Sequence, residues 1–271
     1  MFGWLHRRFQ SNPLFRRGAI LLVGLLLIAL IAGVALLIPR AKRTVERYTD
    51  PLGKAFTAWG TGDVQERAAL VTEGRQVCPG APFILPADGF IGLMYGDPRG
   101  PYSTTHPHQG IDIFSNAEAG TIPVYAAFDG YLTREANWVS SLIIRVPDDP
   151  LQPGRQIWLY YTHMADREGN DFIADDFPPG THAKFVEQGT LLGYTGNYNG
   201  DSLRGVWTHL HFSIVLDNGQ GGYTNELEFD NTVDPSAYLG LVVNYGCVET
   251  LPTTCSSEPV CPDAVLGKGG A

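Results

Sequence analysis

Two of the seven histidines stand one residue apart in Thr208-His209-Leu210-His211-Phe212-Ser213-Ile214. Side chains alternate faces along a strand, so Leu210, Phe212 and Ile214 share one face and His209, His211 and Ser213 the other. The apolar face reads as core. The opposite face presents two imidazoles side by side, suited to holding a metal or moving a proton. An isolated H-x-H is more often a polar edge facing solvent, but two further segments accompany this one. His108-Gln109-Gly110-Ile111-Asp112 places a carboxylate four residues after a histidine. On a helix the two would stack and share an ion. In a straight strand they would lie about 13 Å apart. Gly110 and the apolar Ile111, Ile113 and Phe114 argue against a helix. Joint ligation therefore requires a sharp turn near Gly110, which glycine's backbone freedom permits. The alternative is a surface turn with an exposed histidine and a capping aspartate. The third segment, 157–164, is an apolar strand with His163 near its end, where a lone histidine is more commonly a hydrogen-bonded core residue.

Read in order, H-x-x-x-D at 108–112, Tyr161-Thr162-His163 and His209-Leu210-His211 resemble the lysostaphin/LytM-type zinc endopeptidases. The resemblance extends to Tyr95-Gly96-Asp97-Pro98-Arg99 as an entry strand and to the hairpin-like Val124-Tyr125-Ala126-Ala127-Phe128-Asp129-Gly130. It also takes in Glu187 to Gly196 and Val233-Asp234-Pro235 through Leu239, so it covers about residues 80–242. It implies that His108, Asp112 and His211 ligate Zn2+, three protein donors plus water being the catalytic arrangement. It further implies that His163 and His209 act as general base and transition-state stabiliser, in an order the residues leave open. The implied reaction is hydrolysis of peptidoglycan peptide cross-links by metal-activated water. Thr208 and Ser213 depart from the family's preceding Gly-Pro and following acidic residue, 197–208 is longer, and 167–179 is an added acidic loop. His106 competes with His108, which alone sits at H-x-G-x-D; His182 and His6 receive no role. A non-catalytic wall-binding or hydrolase-regulating module is the other class, and it usually lacks ligands. Other zinc peptidases are disfavoured by the absence of H-E-x-x-H.

The elements that must position these residues are short. Gly 32 and Pro 19 make a fifth of the chain, and alternating runs at 121–127, 130–133, 141–146, 157–164 and 208–215 are separated by turn signals such as Asp129-Gly130 and Asn199-Gly200. An all-β, antiparallel domain over 78–243 with a groove-bound zinc site is expected. Asp63 and Glu66 read as a capping box opening a short helix within a stalk, 40–77. Residues 18–39 carry no charge and are long enough for a transmembrane helix, rather than the shorter apolar part of a cleaved signal. A basic cytoplasmic segment, 1–17, would precede the span.

Residues 1–47 hold eight Lys or Arg against Glu46, a net of +7 that leaves −16 on the other 224 residues. So acidic a domain is a poor nucleic-acid binder. Basic residues flank the apolar segment on both sides, so charge does not orient it. All four cysteines follow it, as expected for disulfides outside the cytoplasm. Of three connectivities, Cys78–Cys247 with Cys255–Cys261 would tie the domain's ends and staple the tail, 244–271. The partners implied are peptidoglycan stems and, through 18–39, the membrane.

Overall fold

The computed structural model describes residues 17, 21–23, 25–29, 33, 51–75, 77–200 and 206–259. The expected span at 18–39 lies in large part outside them, as do most of the expected cytoplasmic segment and residues 40–50 of the expected stalk. The described positions inside 18–39 are helical. Among the described residues no helix is long and apolar enough to cross a membrane. The chain divides into two compact units, Met1–Lys54 and Ala55–Ala271.

Two helices lead in. Helix α1, Pro51–Thr61, begins on proline, whose missing N–H costs nothing at a first helical position. Its Ala55 and Trp59 are buried against Phe90, Leu93 and Phe114, with Phe56 alongside. Sequence patterning had assigned no helix there, because Gly53 and Gly60 dilute the signal. Helix α2, Val64–Ala68, opens on the expected capping box: Asp63 Oδ1 accepts from the Gln65 and Glu66 amides, and Glu66 accepts from the Asp63 amide.

The main element is an antiparallel sheet. Its strands are β1 (Phe90–Leu93), β2 (Ile111–Phe114), β4 (Gly130–Thr133), β5 (Leu142–Val146), β6 (Ile157–Thr162), β7 (Lys184–Val186), β9 (His209–Leu216) and β10 (Thr232–Val233). Their order is β1-β2-β9-β6-β5-β4-β7, and β10 also pairs with β9. A separate two-stranded ribbon joins β3 (Pro123–Tyr125) to β8 (Leu191–Tyr194). Strand β3 therefore pairs with β8 and forms no hairpin with β4, contrary to the expectation for 124–130. Nor is Tyr95-Gly96-Asp97-Pro98-Arg99 a strand. Tyr95 makes one isolated bridge to Asn244, Asp97 and Arg99 close a turn, and the entry strand is β1.

Alternation is as expected at the centre of the sheet. In β9 the side chains of Leu210, Phe212 and Ile214 are fully buried, and their partners across β2 and β6 are Ile113, Ile111, Tyr161 and Leu159, all equally buried. Each such side chain removed from water contributes about 1.5–3 kcal/mol. The opposite face carries His209, His211 and Ser213, in register with Phe114 and Asp112 of β2 and with Thr162 and Tyr160 of β6.

The disulfide joins Cys78 to Cys255, 177 residues apart, with Cα atoms 5.4 Å apart, and not Cys78 to Cys247. The reason is the path of the tail. Pro252 accepts from the Thr72 hydroxyl and the Ser256 amide donates to Gly240, which lays Cys255 over the segment that begins the domain. Cys247 is also disulfide-bonded, and no described cysteine is free.

Candidate metal centre

Strand pairing brings the first two donors together. The β2–β9 register sets Asp112 opposite His211 and Phe114 opposite His209, so all four side chains share the face opposite Leu210, Phe212 and Ile214. His108 precedes β2 and reaches back over a bend at Gln109 and Gly110. The expected turn is present, but Gly110 serves it for a different reason: a Cβ there would lie 2.3 Å from the Phe212 carbonyl oxygen. The glycine lets the bend close onto β9 beside His211. The segment 95–99 fixes the other side of His108. Its amide donates to Asp97 O, its carbonyl accepts from the Gly96 amide, and the buried Asp97 carboxylate grips Arg99.

The result is a tight set of donor atoms. His108 Nε2 lies 3.0 Å from His211 Nδ1 and 3.2 Å from Asp112 Oδ1, and His211 Nδ1 lies 2.9 Å from Asp112 Oδ1. Ligands about 2.0–2.1 Å from a tetrahedral ion stand about 3.3 Å apart, so this set fits a zinc-sized cation after a small expansion. All three residues are buried, and together they form a group able to hold a metal ion.

Each imidazole is oriented by its far nitrogen. His108 Nδ1 faces Met94 O at 3.1 Å, His163 Nδ1 faces Tyr198 O at 2.5 Å, and His209 Nδ1 faces Trp207 O at 2.6 Å. A carbonyl only accepts, so each Nδ1 carries the proton and each Nε2 keeps its lone pair. His211 is reversed: its Nε2 faces Glu226 Oε1 at 2.8 Å, which leaves Nδ1 toward Asp112 and His108. Phe114 stacks on His209 with centroids 5.1 Å apart, and Phe56 of α1 packs edge-on against Phe114, so the lead-in helix supports this end of the site. His163 holds a left-handed backbone, φ 71°, and its ring lies 4.3 Å from that of His209.

The charges follow from burial and neighbours. Burial opposes ionisation of Asp112, yet His108 and His209 hold its carboxyl well below the usual range. Burial also opposes charge on His211, but Glu226 and Asp112 push it up to about 10. The space between these carboxylates thus favours a positive charge, for which a proton and a metal ion compete. Burial, joined by the charge of His209, lowers His163 to about 3; burial lowers His209 as well, against the pull of Asp112. Both rings are neutral near pH 7.

A groove of about 400 Å³ opens on this centre, lined by Tyr102, Tyr160, Thr162, His163, Tyr198 and Glu226 among others. Tyr102 stacks on His108 at 4.4 Å. Sequence reasoning singled out none of Tyr102, Tyr160, Tyr198 or Glu226. For Tyr160 the signal existed, since alternation along β6 places it and Thr162 on the face of His211. His106 hydrogen-bonds to Thr105 and is exposed, outside the donor set. His182 is exposed and His6 lies outside the described residues.

No family model and no curated protein matches the chain. Its neighbours among solved structures are M23 and lysostaphin-type proteins. The catalytic domain of a prophage-encoded M23 protein from Enterococcus faecalis is 20% identical, over 55% of this chain and 93% of that one, at a TM-score of 0.31. A zinc-containing peptidase from Vibrio cholerae is 19% identical, over 50% of this chain and 35% of that one, at 0.31. Lysostaphin is 20% identical, over 61% of this chain and 56% of that one, at 0.34. The chain thus spans about a third and about half of the last two.

Proposed function

We propose that the sheet domain is a zinc-dependent endopeptidase that hydrolyses peptide cross-links of bacterial peptidoglycan, anchored by residues 18–39 with the domain outside the cytoplasm. The observation that carries this reading is the convergence of His108 Nε2, Asp112 Oδ1 and His211 Nδ1 within 3.2 Å of one another, with two more imidazoles beside them. Three protein donors are typical of catalytic zinc, whereas structural zinc takes four. Zinc held there supplies a charge that polarises a peptide carbonyl and acidifies water.

The remaining chemistry falls to this chain's side chains. His163 and His209 are neutral near pH 7 and keep Nε2 lone pairs, so one takes the proton of the attacking water and returns it to the leaving amine. Burial keeps the phenol of Tyr102 protonated, and its O–H group can donate to the oxygen that gains negative charge, whereas the Tyr160 O–H donates to Ser141 Oγ at 3.1 Å. Among the described residues neither Lys nor Arg lines the groove, which suits an uncharged peptide backbone. The choice of peptidoglycan rests on the motif order shared with the lysostaphin/LytM-type enzymes. Export is favoured by the disulfides, which persist outside the cytoplasm.

The test is digestion of purified sacculi by the zinc-loaded full chain, with released fragments identified by mass spectrometry. New peptide amino termini are expected, and His211→Ala should release none. Intact cross-links after digestion by the zinc-loaded protein, or equal release by both forms, would overturn the reading.

A further inference from the structure

We propose that Glu226 is the positioning residue of the metal centre, acting through His211; this rests on His211 being a ligand. His211 has two ring nitrogens and both are committed. Nδ1 lies 2.9 Å from Asp112 Oδ1 and 3.0 Å from His108 Nε2, while Nε2 lies 2.8 Å from Glu226 Oε1. An ionised carboxylate only accepts, so Glu226 holds the proton on Nε2, leaves the lone pair on Nδ1 and fixes the plane of the ring. Glu226 is not itself a donor to the ion, because it sits at the nitrogen facing away from Asp112 and His108 and lies outside the metal-holding group.

The strand does not supply this carboxylate. Ser213 shares His211's face two residues on and is fully buried, but it carries no charge. The acid arrives from the loop after β9, and that loop is tied down. Gln109 donates to Leu227 O at 2.9 Å, Asn225 Oδ1 accepts from the Leu227 amide at 3.2 Å, and Asn231 donates to Asn225 O at 2.9 Å. Gln109 lies between His108 and Gly110, so the segment bearing two donors also anchors the residue that orients the third. Glu226 is held against the ring on one side and through the backbone of its neighbour on the other, and its side chain is only 15% exposed.

The experiment uses the full chain in detergent and zinc alone, with affinity read by competition against a chromophoric chelator. Glu226→Ala should weaken zinc binding about 10–100-fold, as loss of such a partner does elsewhere. Glu226→Gln, nearly isosteric and an acceptor without charge, should fall between it and the natural protein. It also decides the matter if the alanine variant fails to fold. In nitrogen-15 spectra of the zinc-loaded protein, Glu226→Gln should shift the Nε2 signal of His211 and leave that of His108 in place. Natural zinc affinity and an unmoved Nε2 signal in Glu226→Gln would overturn the proposal. Failure of the underlying reading looks different: His211→Ala would then bind zinc as the natural protein does.

Discussion

Adding a single methyl group at Gly110 should damage both the fold and the metal centre. The Cβ of an alanine would stand 2.3 Å from Phe212 O and 2.8 Å from the Ser213 Cβ, where ordinary contact begins at 3.4 Å. The obstacle is the backbone of a central strand, so no side chain can swing aside. The bend at 109–110 must then move away from β9 by about 1 Å, carrying His108 from His211. Overpacking of this kind costs about 1–3 kcal/mol, occasionally more. A misplacement of about 1 Å at a reacting centre can cost about 100-fold in rate. Urea unfolding of the metal-free protein, zinc competition and the rate of the zinc-loaded protein measure stability, metal holding and catalysis separately. Gly154→Ala is the control, because its Cβ meets nothing within 4 Å although its φ is +85°. There only backbone strain remains, on the order of 1 kcal/mol, and zinc affinity should hold. The reasoning is refuted if Gly110→Ala matches the natural protein in both stability and zinc affinity.

Three other outcomes are expected. His163 is lowered to about 3 by burial first and by His209 second, so between about pH 6.5 and 3 the unfolded chain binds a proton that the fold rejects. Its contribution is complete above about pH 6.5 and lost as pH falls toward 3. Because the ring is partly open to the groove, the loss should be about 2 kcal/mol rather than the full shift. Urea midpoints of metal-free His163→Gln should therefore fall less from pH 7 to pH 4 than those of the natural protein; parallel curves would contradict this. Removal of the 177-residue cross-link by Cys255→Ser should cost about 2–5 kcal/mol, seen as a lower urea midpoint, and an unchanged midpoint would deny the bond a stabilising role. Protease added to intact spheroplasts should digest the domain and leave a small membrane-bound stub, whereas a protected domain would place it inside the cell and end the wall-hydrolase reading.

What could be read in advance follows from where the information lies. Strands β6 and β9 are long enough for period-two alternation to declare both faces, so Leu159 and Phe212 fall to the core and His209 and His211 to the other side. Strands β1, β2, β7 and β8 are three or four residues long; β1 and β2 are buried throughout and β8 contains a glycine, so no alternation marks them. The H-x-x-x-D spacing pointed to a turn at Gly110, but the Phe212 carbonyl that demands glycine comes from a strand far along the chain. Glu226 and the Cys78–Cys255 pair depend on where a loop and a tail return, and no local pattern records that. The segment 95–99 carried a signal whose meaning changed: its Asp97–Arg99 turn clamps His108 instead of forming a strand.

The most direct test of the central claim is the zinc content of the purified full chain and its variants after equilibrium dialysis. The natural protein should hold one zinc ion per chain. His108→Ala, Asp112→Ala and His211→Ala should each lose it, because two donors remain, while His163→Ala should keep it, because that ring lies outside the donor set. Zinc retained in all three ligand variants, or lost equally in His163→Ala, would contradict the account.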